Sequence, residues 1–173
     1  MSERGYLGSY VFGEECGMDD VIDAKPRERA KALDMGPLPM LLGYVVRRAQ
    51  MAIFEDFHAR CAAEDIRPAQ YSVLKLIALN PGARQTEVGA ALGIQRSNFG
   101  PMLDVLERRG LAERRPLQRD RRAVALFLTE AGEAMMTRLD ALVEAHEAKF
   151  VRRIGAQQKV TLQTLLFLVT AGE

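Results

Sequence analysis

The chain has 173 residues, of which 48% are hydrophobic and 27% are charged, with 24 Lys and Arg against 23 Asp and Glu. This composition is typical of one globular domain with or without a tail, and it excludes a disordered, collagen-like or disulfide-stapled chain. The longest apolar stretches, residues 38–46 and 161–169, are too short to span a bilayer, so no membrane partner is expected. The first residues lack the basic region and apolar run of a signal peptide, which predicts a cytoplasmic location.

Residues 1–36 are predicted to be an N-terminal extension. They are rich in glycine and acidic residues and show no sustained helical or strand period. Three aromatic residues, Tyr6, Tyr10 and Phe12, lie close together in this segment. Because a wholly disordered tail seldom concentrates aromatic residues in this way, we expect the extension to be partly ordered.

Helical periodicity begins at Pro37, where apolar residues start to recur at spacings of three and four. Pro68 suits the first turn of a second helix. The buried face of the third helix is predicted to consist of Val88, Ala91 and Leu92. In chain order, the expected elements are helices over residues 37–64, 67–79, 84–92 and 95–109, strands over 111–114 and 123–128, and helices over 130–154 and 160–169.

Arginine is concentrated in the middle of the chain. All nine basic residues between positions 84 and 128 are arginines. Five of them fall within nine positions: Arg114, Arg115, Arg119, Arg121 and Arg122. Because the planar guanidinium binds phosphate through several donors, the cluster suggests a site for a polyanion, and the alternative is a solvated charged loop.

The third and fourth predicted helices, followed by a two-stranded ribbon, have the order of a winged helix-turn-helix. The predicted fold class is therefore mainly α with a small two-stranded β wing. The second helix of such a pair fits the major groove, where Arg reads guanine, Gln and Asn read adenine, and Ser takes a base edge or a phosphate. The arginine-rich loop lies where a wing meets the minor groove. The predicted DNA-binding residues are Arg84, Gln95, Arg96, Ser97, Asn98, Arg119, Asp120, Arg121 and Arg122.

Pro101 leaves two interpretations of the fourth helix open. Proline inside a helix removes one backbone donor and crowds the carbonyl of Ser97. Either the helix is kinked and includes residues 96–98, or its regular part starts at Pro101 and those residues form a turn. We favour the kinked helix.

Three runs of sequence resemble the MarR family of transcriptional regulators: residues 103–111 (LDVLERRGL), 119–124 (RDRRAV) and 128–132 (LTEAG). The resemblance extends from about Leu38 to the C-terminus. The family's Asp-x-Arg motif matches Asp120 and Arg122, and by analogy Asp120 braces Arg122 as it enters the minor groove. The Ser97-Asn98-Phe99 helix start is also similar to the subset of the family that represses catabolism of hydroxycinnamates and related aromatic acids.

The resemblance implies a homodimeric repressor in which the first, fifth and sixth helices interlock. The apolar last helix agrees with this expectation, because it has too little polar face for a lone surface helix. A two-fold dimer would place two reading helices about one DNA turn apart on a pseudo-palindromic duplex. The expected division is an N-terminal extension (1–36), a first dimerisation and ligand-face helix (37–66), a DNA-binding lobe (67–128), and a long helix with a C-terminal dimerisation helix (129–173).

The first helix carries a candidate face for a small-molecule inducer, and no other cofactor is expected. Tyr44, Arg47, Met51, Phe54 and His58 follow spacings of three and four, so they share one helix face, and Arg48 lies beside it. Aromatic side chains with a cation suit a planar anion, such as an aromatic carboxylate or its CoA thioester. In the alternative interpretation, Arg47 pairs with an acid across the dimer and the aromatic residues pack in the core.

The sequence disfavours three other functions. The sequence has no phosphate loop, metal-binding spacing or nucleophile with a nearby base, so we do not expect an enzyme. A cysteine-based redox sensor of the MarR type would depend on Cys16 or Cys61, and neither matches that pattern. A winged helix used only as a protein-interaction module is disfavoured by the arginine-rich wing.

His146, in the apolar stripe of the long helix, is either a pH switch or a packed, hydrogen-bonded histidine, and we favour the second.

Overall fold

The computed structural model describes residues 33–117 and 120–171, and it describes the side chains of residues 33–116 and 124–171. One compact unit extends from Pro37 to Glu173. Its described residues form six α-helices and one antiparallel hairpin. The elements are α1 (Leu42–Arg60), α2 (Pro68–Leu79), α3 (Gln85–Ala91), α4 (Arg96–Arg108), β1 (Ala112–Leu117), β2 (Asp120–Leu128), α5 (Glu130–Ile154) and α6 (Ala156–Thr170). The mainly α fold with a two-stranded wing is thus confirmed.

The first helix is shorter than predicted at its N-terminal end. Leu38–Met40 form a separate 3₁₀ helix, and Leu41 has extended backbone angles before α1 begins. The break falls at Leu41, two residues after Pro39, so the predicted continuous helix from residue 37 is wrong there. At the other end α1 stops at Arg60, and a second 3₁₀ helix follows at Ala62–Glu64.

The wing is longer than predicted, and so is the last helix. Residues 115–117 and 120–122, expected in the loop, belong to the strands, which pair from Ala112 with Leu128 to Pro116 with Val124. The register shifts just after Pro116, as is common where proline removes a ladder donor. The helix α6 begins at Ala156, four residues earlier than predicted, because Gly155 alone, at a φ of 88°, separates it from α5.

The core joins α2, α3, α4, β2 and α5. Its most deeply buried side chains are Val73, Leu74, Ile77, Val88, Leu103, Leu106, Leu126 and Leu139. The predicted face of α3 is wrong at Ala91, which is exposed, whereas Gly89 is buried. A Cβ at Gly89 would lie 3.2 Å from the Phe99 ring, so the absent side chain lets α3 pack closely on α4.

A short β-bridge attaches the wing to the helices, and the sequence analysis missed it. The segment before α3 pairs with β2, with Arg84 opposite Ala125. The Leu126 N–H donates to the Ala83 carbonyl at 3.0 Å, and the Gly82 N–H donates to the Leu126 carbonyl at 2.9 Å. The wing and the start of α3 are therefore held in one orientation.

The two end helices of the compact unit expose apolar surface. Within the described part of the chain, no side chain of α6 is buried, and Phe57 is the buried residue of α1. The exposed apolar side chains of these two helices include Leu42, Val45, Val46, Ile53, Val160, Leu162, Leu165, Leu166, Phe167, Leu168 and Val169. Among the helices that the structure describes, none is long and apolar enough to cross a membrane.

Candidate DNA-binding and ligand-binding sites

The start of α4 presents a polar surface. Gln95 is the cap residue, and Arg96, Ser97 and Asn98 are exposed in the first turn. The next residue, Phe99, is buried and fixes this turn on the core. Polar side chains thus stand on a helix whose first turn is packed against the core, and such an arrangement suits major-groove recognition.

The helix α4 includes residues 96–98, so the alternative start at Pro101 is wrong. Pro101 lies inside the helix and is exposed. Since proline has no N–H, the Ser97 carbonyl loses its usual partner four residues on. The first turn of α4 therefore relies on Gln95, whose carbonyl accepts the N–H groups of Asn98 and Phe99 at 2.9 and 3.0 Å.

Arg84 lies at the cap position of α3, opposite Ala125 of the wing. Its backbone N–H donates to a Glu87 carboxylate oxygen at 2.9 Å, and the residue is exposed. Of the predicted wing residues, Arg119 lies outside the described residues. For Asp120, Arg121 and Arg122 the structure gives the strand backbone, and the predicted bracing of Arg122 by Asp120 falls on undescribed side chains.

One member of the arginine cluster has an internal role. Arg114 of β1 pairs with Asp104 at 2.7 Å and with Glu107 at 2.6 Å, both on α4. It also donates to the Gly100 carbonyl at 3.2 Å and to Gln85 at 3.3 Å. Arg114 therefore ties the wing to α3 and α4, and the polyanion interpretation of the cluster is wrong for this residue.

The candidate ligand face follows one side of α1. Phe54 and Met51 are 41% and 52% exposed, and Tyr44 is half-buried. The rings of Phe54 and His58 are stacked with centroids 6.5 Å apart, as the four-residue spacing predicts. Arg47 and Arg48 are exposed on the same helix.

A groove of about 310 Å³ lies elsewhere in the compact unit. It runs between α2, β2 and α5, and none of the six predicted ligand residues lines it. Its walls are formed by Ile77, Ala78, Pro81, Phe127, Leu128, Glu133 and Met136.

Asp56 of α1 forms a buried polar cluster that the sequence analysis missed. Its carboxylate accepts hydrogen bonds from Arg60 at 2.8 Å and Lys149 at 2.5 Å, and it lies 2.7 Å from His146 Nδ1. Hydrogen bonds from Lys149, Arg60 and His146 hold the pKa of the Asp56 carboxyl well below its usual range. The four-residue spacing of Asp56 and Arg60 was the available signal, but the partners on α5 are about ninety residues away in the chain.

His146 is packed and hydrogen-bonded, in agreement with the favoured interpretation. It is 3% exposed, and its ring meets those of Phe57 and Phe150 edge-on.

Cys61 is a free thiol, 1% exposed, and burial raises its pKa. Because redox-sensing cysteines are accessible and have lowered pKa values, Cys61 does not fit that role. Cys16 lies outside the described residues.

The sequence pattern of the MarR family matches residues 64–123. A protein of Thauera aromatica, described as a putative transcriptional regulatory protein for the hcr operon, is 32% identical over 126 residues, which are 72% of this chain and 76% of that protein.

Among solved structures, the repressor CouR bound to a 23-mer DNA duplex is 42% identical, with a TM-score of 0.78. CouR bound to p-coumaroyl-CoA is 40% identical, with a TM-score of 0.76, and each match covers 82% of this chain and 100% of CouR. The PcaV regulator of Streptomyces coelicolor, in complex with its natural ligand, is 26% identical with a TM-score of 0.70, over 82% of this chain and 97% of PcaV. The chain belongs to the MarR family of transcriptional regulators.

Proposed function

We propose that this protein is a homodimeric repressor that binds pseudo-palindromic DNA and is released by an aromatic carboxylate or its CoA thioester. The observation that carries the proposal is the match to CouR over its whole chain, in both a DNA-bound and a p-coumaroyl-CoA-bound form. p-Coumaroyl-CoA is therefore the first inducer to test. A DNA partner implies a cytoplasmic location.

The exposed apolar faces of α1 and α6 support the dimer. Leu42 is 61% exposed and Leu168 is 68% exposed, and exposed apolar patches of this kind mark interfaces. Burying such surface stabilises a complex by roughly 25 cal/mol per Å² before the costs of association. A second copy of the chain would cover both faces, so residues 37–66 and 129–173 act in dimerisation and 67–128 form the DNA-binding lobe.

The exposed first turn of α4 supports DNA reading in the major groove by Gln95, Arg96, Ser97 and Asn98. We infer that Arg119, Asp120, Arg121 and Arg122 of the wing contact the adjacent minor groove, and the attachment of β1 to α4 through Arg114 supports this inference. Arg84 is proposed to contact a phosphate, and its exposure beside β2 supports this role. The proposed α4 residues thus read bases, whereas Arg84 and the wing residues contact the DNA backbone or the minor groove.

Substituting Arg96→Ala or Asn98→Ala should relax sequence preference, because each change removes one base contact worth about 1 to 3 kcal/mol of discrimination. The measurement is fluorescence anisotropy with a duplex selected from a random pool and with its scrambled counterpart. Arg108→Ala, an exposed arginine at the other end of α4, is the control and should keep the preference. Wild-type discrimination by both variants would mean that α4 does not read the bases.

The ligand site is proposed to lie on the α1 face of Tyr44, Arg47, Arg48, Met51, Phe54 and His58. Exposed aromatic rings beside two guanidinium groups suit a planar aromatic acid, and a thioester would use both cations. The groove between α2, β2 and α5 lacks arginine and lysine among its lining residues, so it is a poorer site for an anion.

Arg47→Ala should leave DNA binding nearly intact and make the complex insensitive to inducer, because the lost cation contacts the ligand carboxylate. Isothermal titration with an aromatic acid and its neutral amide analogue checks this, and the acid should lose more affinity than the amide. If Arg47→Ala instead unfolds the dimer and the folded fraction binds both ligands normally, Arg47 is an ion-pair partner and the assignment is wrong.

The function is tested most broadly by a thermal-shift screen of aromatic acids and their CoA thioesters. A ligand that binds the folded dimer raises its melting temperature. We expect p-coumaroyl-CoA or a related thioester to give a dose-dependent increase. An unchanged melting temperature with every compound would contradict the ligand-responsive part of the proposal.

A further inference from the structure

The corner between α1 and α2 is held by the C-terminal end of α4. The corner comprises residues 61–67 and contains the 3₁₀ helix Ala62–Glu64. Arg109, the cap residue of α4, reaches two of its backbone carbonyls. The Arg109 guanidinium donates to the Glu64 carbonyl at 2.7 Å and to the Asp65 carbonyl at 2.6 Å.

These two hydrogen bonds satisfy acceptors that the end of the 3₁₀ helix leaves unpaired. Two carbonyls bound by one planar guanidinium fix both the position and the orientation of the corner. A lysine ammonium is a point charge without this fork, so it would not hold the same geometry.

The same corner is held from a second side by α5. Arg138 pairs with the Glu64 carboxylate at 3.0 and 3.1 Å, and this hydrogen bonding lowers the pKa of Glu64. Asp65 has a left-handed backbone at a φ of 47°, which is unfavourable for a non-glycine residue unless its surroundings impose it. The corner is therefore a rigid segment. A movement of the C-terminal end of α1 is transmitted through the corner to Arg109 of α4 and Arg138 of α5.

We propose that Arg109 is a positioning residue that links the ligand helix α1 to the reading helix α4. The inference rests on the proposed function, because it assigns the route by which an event on α1 changes DNA binding. The helix α1 carries the candidate ligand face and ends directly at the corner, and α4 carries the base-reading side chains at its opposite end. Displacing α1 would shift the two carbonyls and, through Arg109, the orientation of α4.

The test compares Arg109→Gln and Arg109→Lys with Arg108→Gln, which changes the exposed neighbouring arginine. For each dimer, the DNA dissociation constant is measured with and without saturating p-coumaroyl-CoA, and the ratio is the coupling factor. Arg109→Gln should reduce the coupling factor at least about fivefold, a typical magnitude for allosteric coupling, while ligand affinity stays near wild type. Arg109→Lys should lie between, and Arg108→Gln should match wild type. A lowered melting temperature with an unchanged coupling factor in either Arg109 variant would show a purely structural role and overturn the proposal.

Hydrogen exchange separates failure of this inference from failure of the proposed inducer. If p-coumaroyl-CoA does not change DNA binding by the wild-type protein, the proposed inducer is wrong. The link through Arg109 is then tested in the absence of ligand. DNA binding to α4 should then increase protection of the Glu64 and Asp65 amides in wild type and in Arg108→Gln, but not in Arg109→Gln. Equal protection in all three proteins would overturn the link.

Discussion

Replacing Gly132 with alanine should strongly destabilise the fold where α5 packs against Leu111. Gly132 is buried in the first turn of α5, and a Cβ there would lie 1.9 Å from the Leu111 carbonyl oxygen. That oxygen accepts the Thr129 N–H at 3.2 Å, and the Thr129 hydroxyl accepts the Gly132 N–H at 3.0 Å. The obstacle is the Leu111 backbone, which is hydrogen-bonded to the cap residue Thr129, so it cannot turn aside as a side chain would. The free energy of unfolding should fall by more than about 3 kcal/mol, which is the upper end of the usual range for overpacking a core.

Gly100→Ala is the matched control, because a Cβ there meets nothing within 4 Å inside α4. Alanine in a helix is favoured over glycine by roughly 0.5 to 1 kcal/mol, but a Cβ directly before Pro101 is crowded by the proline ring, so this variant should melt close to the wild-type temperature. Thermal denaturation followed by circular dichroism measures both changes. A wild-type melting temperature for Gly132→Ala would mean that Leu111 and α5 do not approach as closely as described.

Asp56→Asn should be the second most damaging change. The carboxylate is only 10% exposed and receives three side chains, two of them from α5. Its neutral replacement leaves His146 buried without an anionic partner. Arg60 and Lys149 both reach solvent, so the loss should be smaller than for a fully buried ion pair, at about 2 kcal/mol. Glu55→Gln, the same change at an exposed neighbouring position, should have little effect.

The effect of Asp56 should depend on pH in a defined direction. Because hydrogen bonds lower the pKa of this carboxyl in the folded protein, its ionised form contributes stability above the unfolded pKa of about 3.9. That contribution is lost as the pH falls through the lowered folded value. The difference in unfolding free energy between wild type and Asp56→Asn should therefore shrink below pH about 4. A difference that grows on acidification would contradict this account.

Local chemistry explains which elements the sequence predicts well. The bounds of α5 follow from Thr129, whose hydroxyl caps the helix, and from Gly155, which ends it. The start of α2 follows from Pro68 at the first helical position. One error occurs where a distant strand overrides the local pattern, because pairing with Val124 draws Pro116 into β1. Another is the extended backbone of Leu41, which separates the 3₁₀ helix Leu38–Met40 from α1.

Candidate side chains on helix surfaces could also be placed from sequence, since residue spacing defines a helix face. Exposure of Arg96 and Asn98 and the stacking of Phe54 on His58 follow from such spacing. Contacts between segments that are far apart in the chain leave no such signal in the sequence. The spacing of Arg109 from Glu64, or of Asp56 from His146, follows only from the way the helices pack.

The central claim is that an aromatic thioester and DNA bind this protein antagonistically. The most direct measurement is the anisotropy of a labelled duplex, selected from a random pool, titrated with the protein at increasing p-coumaroyl-CoA. We expect the DNA dissociation constant to rise by a factor in the range of about 5 to 150, and DNA to weaken thioester binding by the same factor. Superimposable DNA-binding curves with and without saturating thioester would contradict the account.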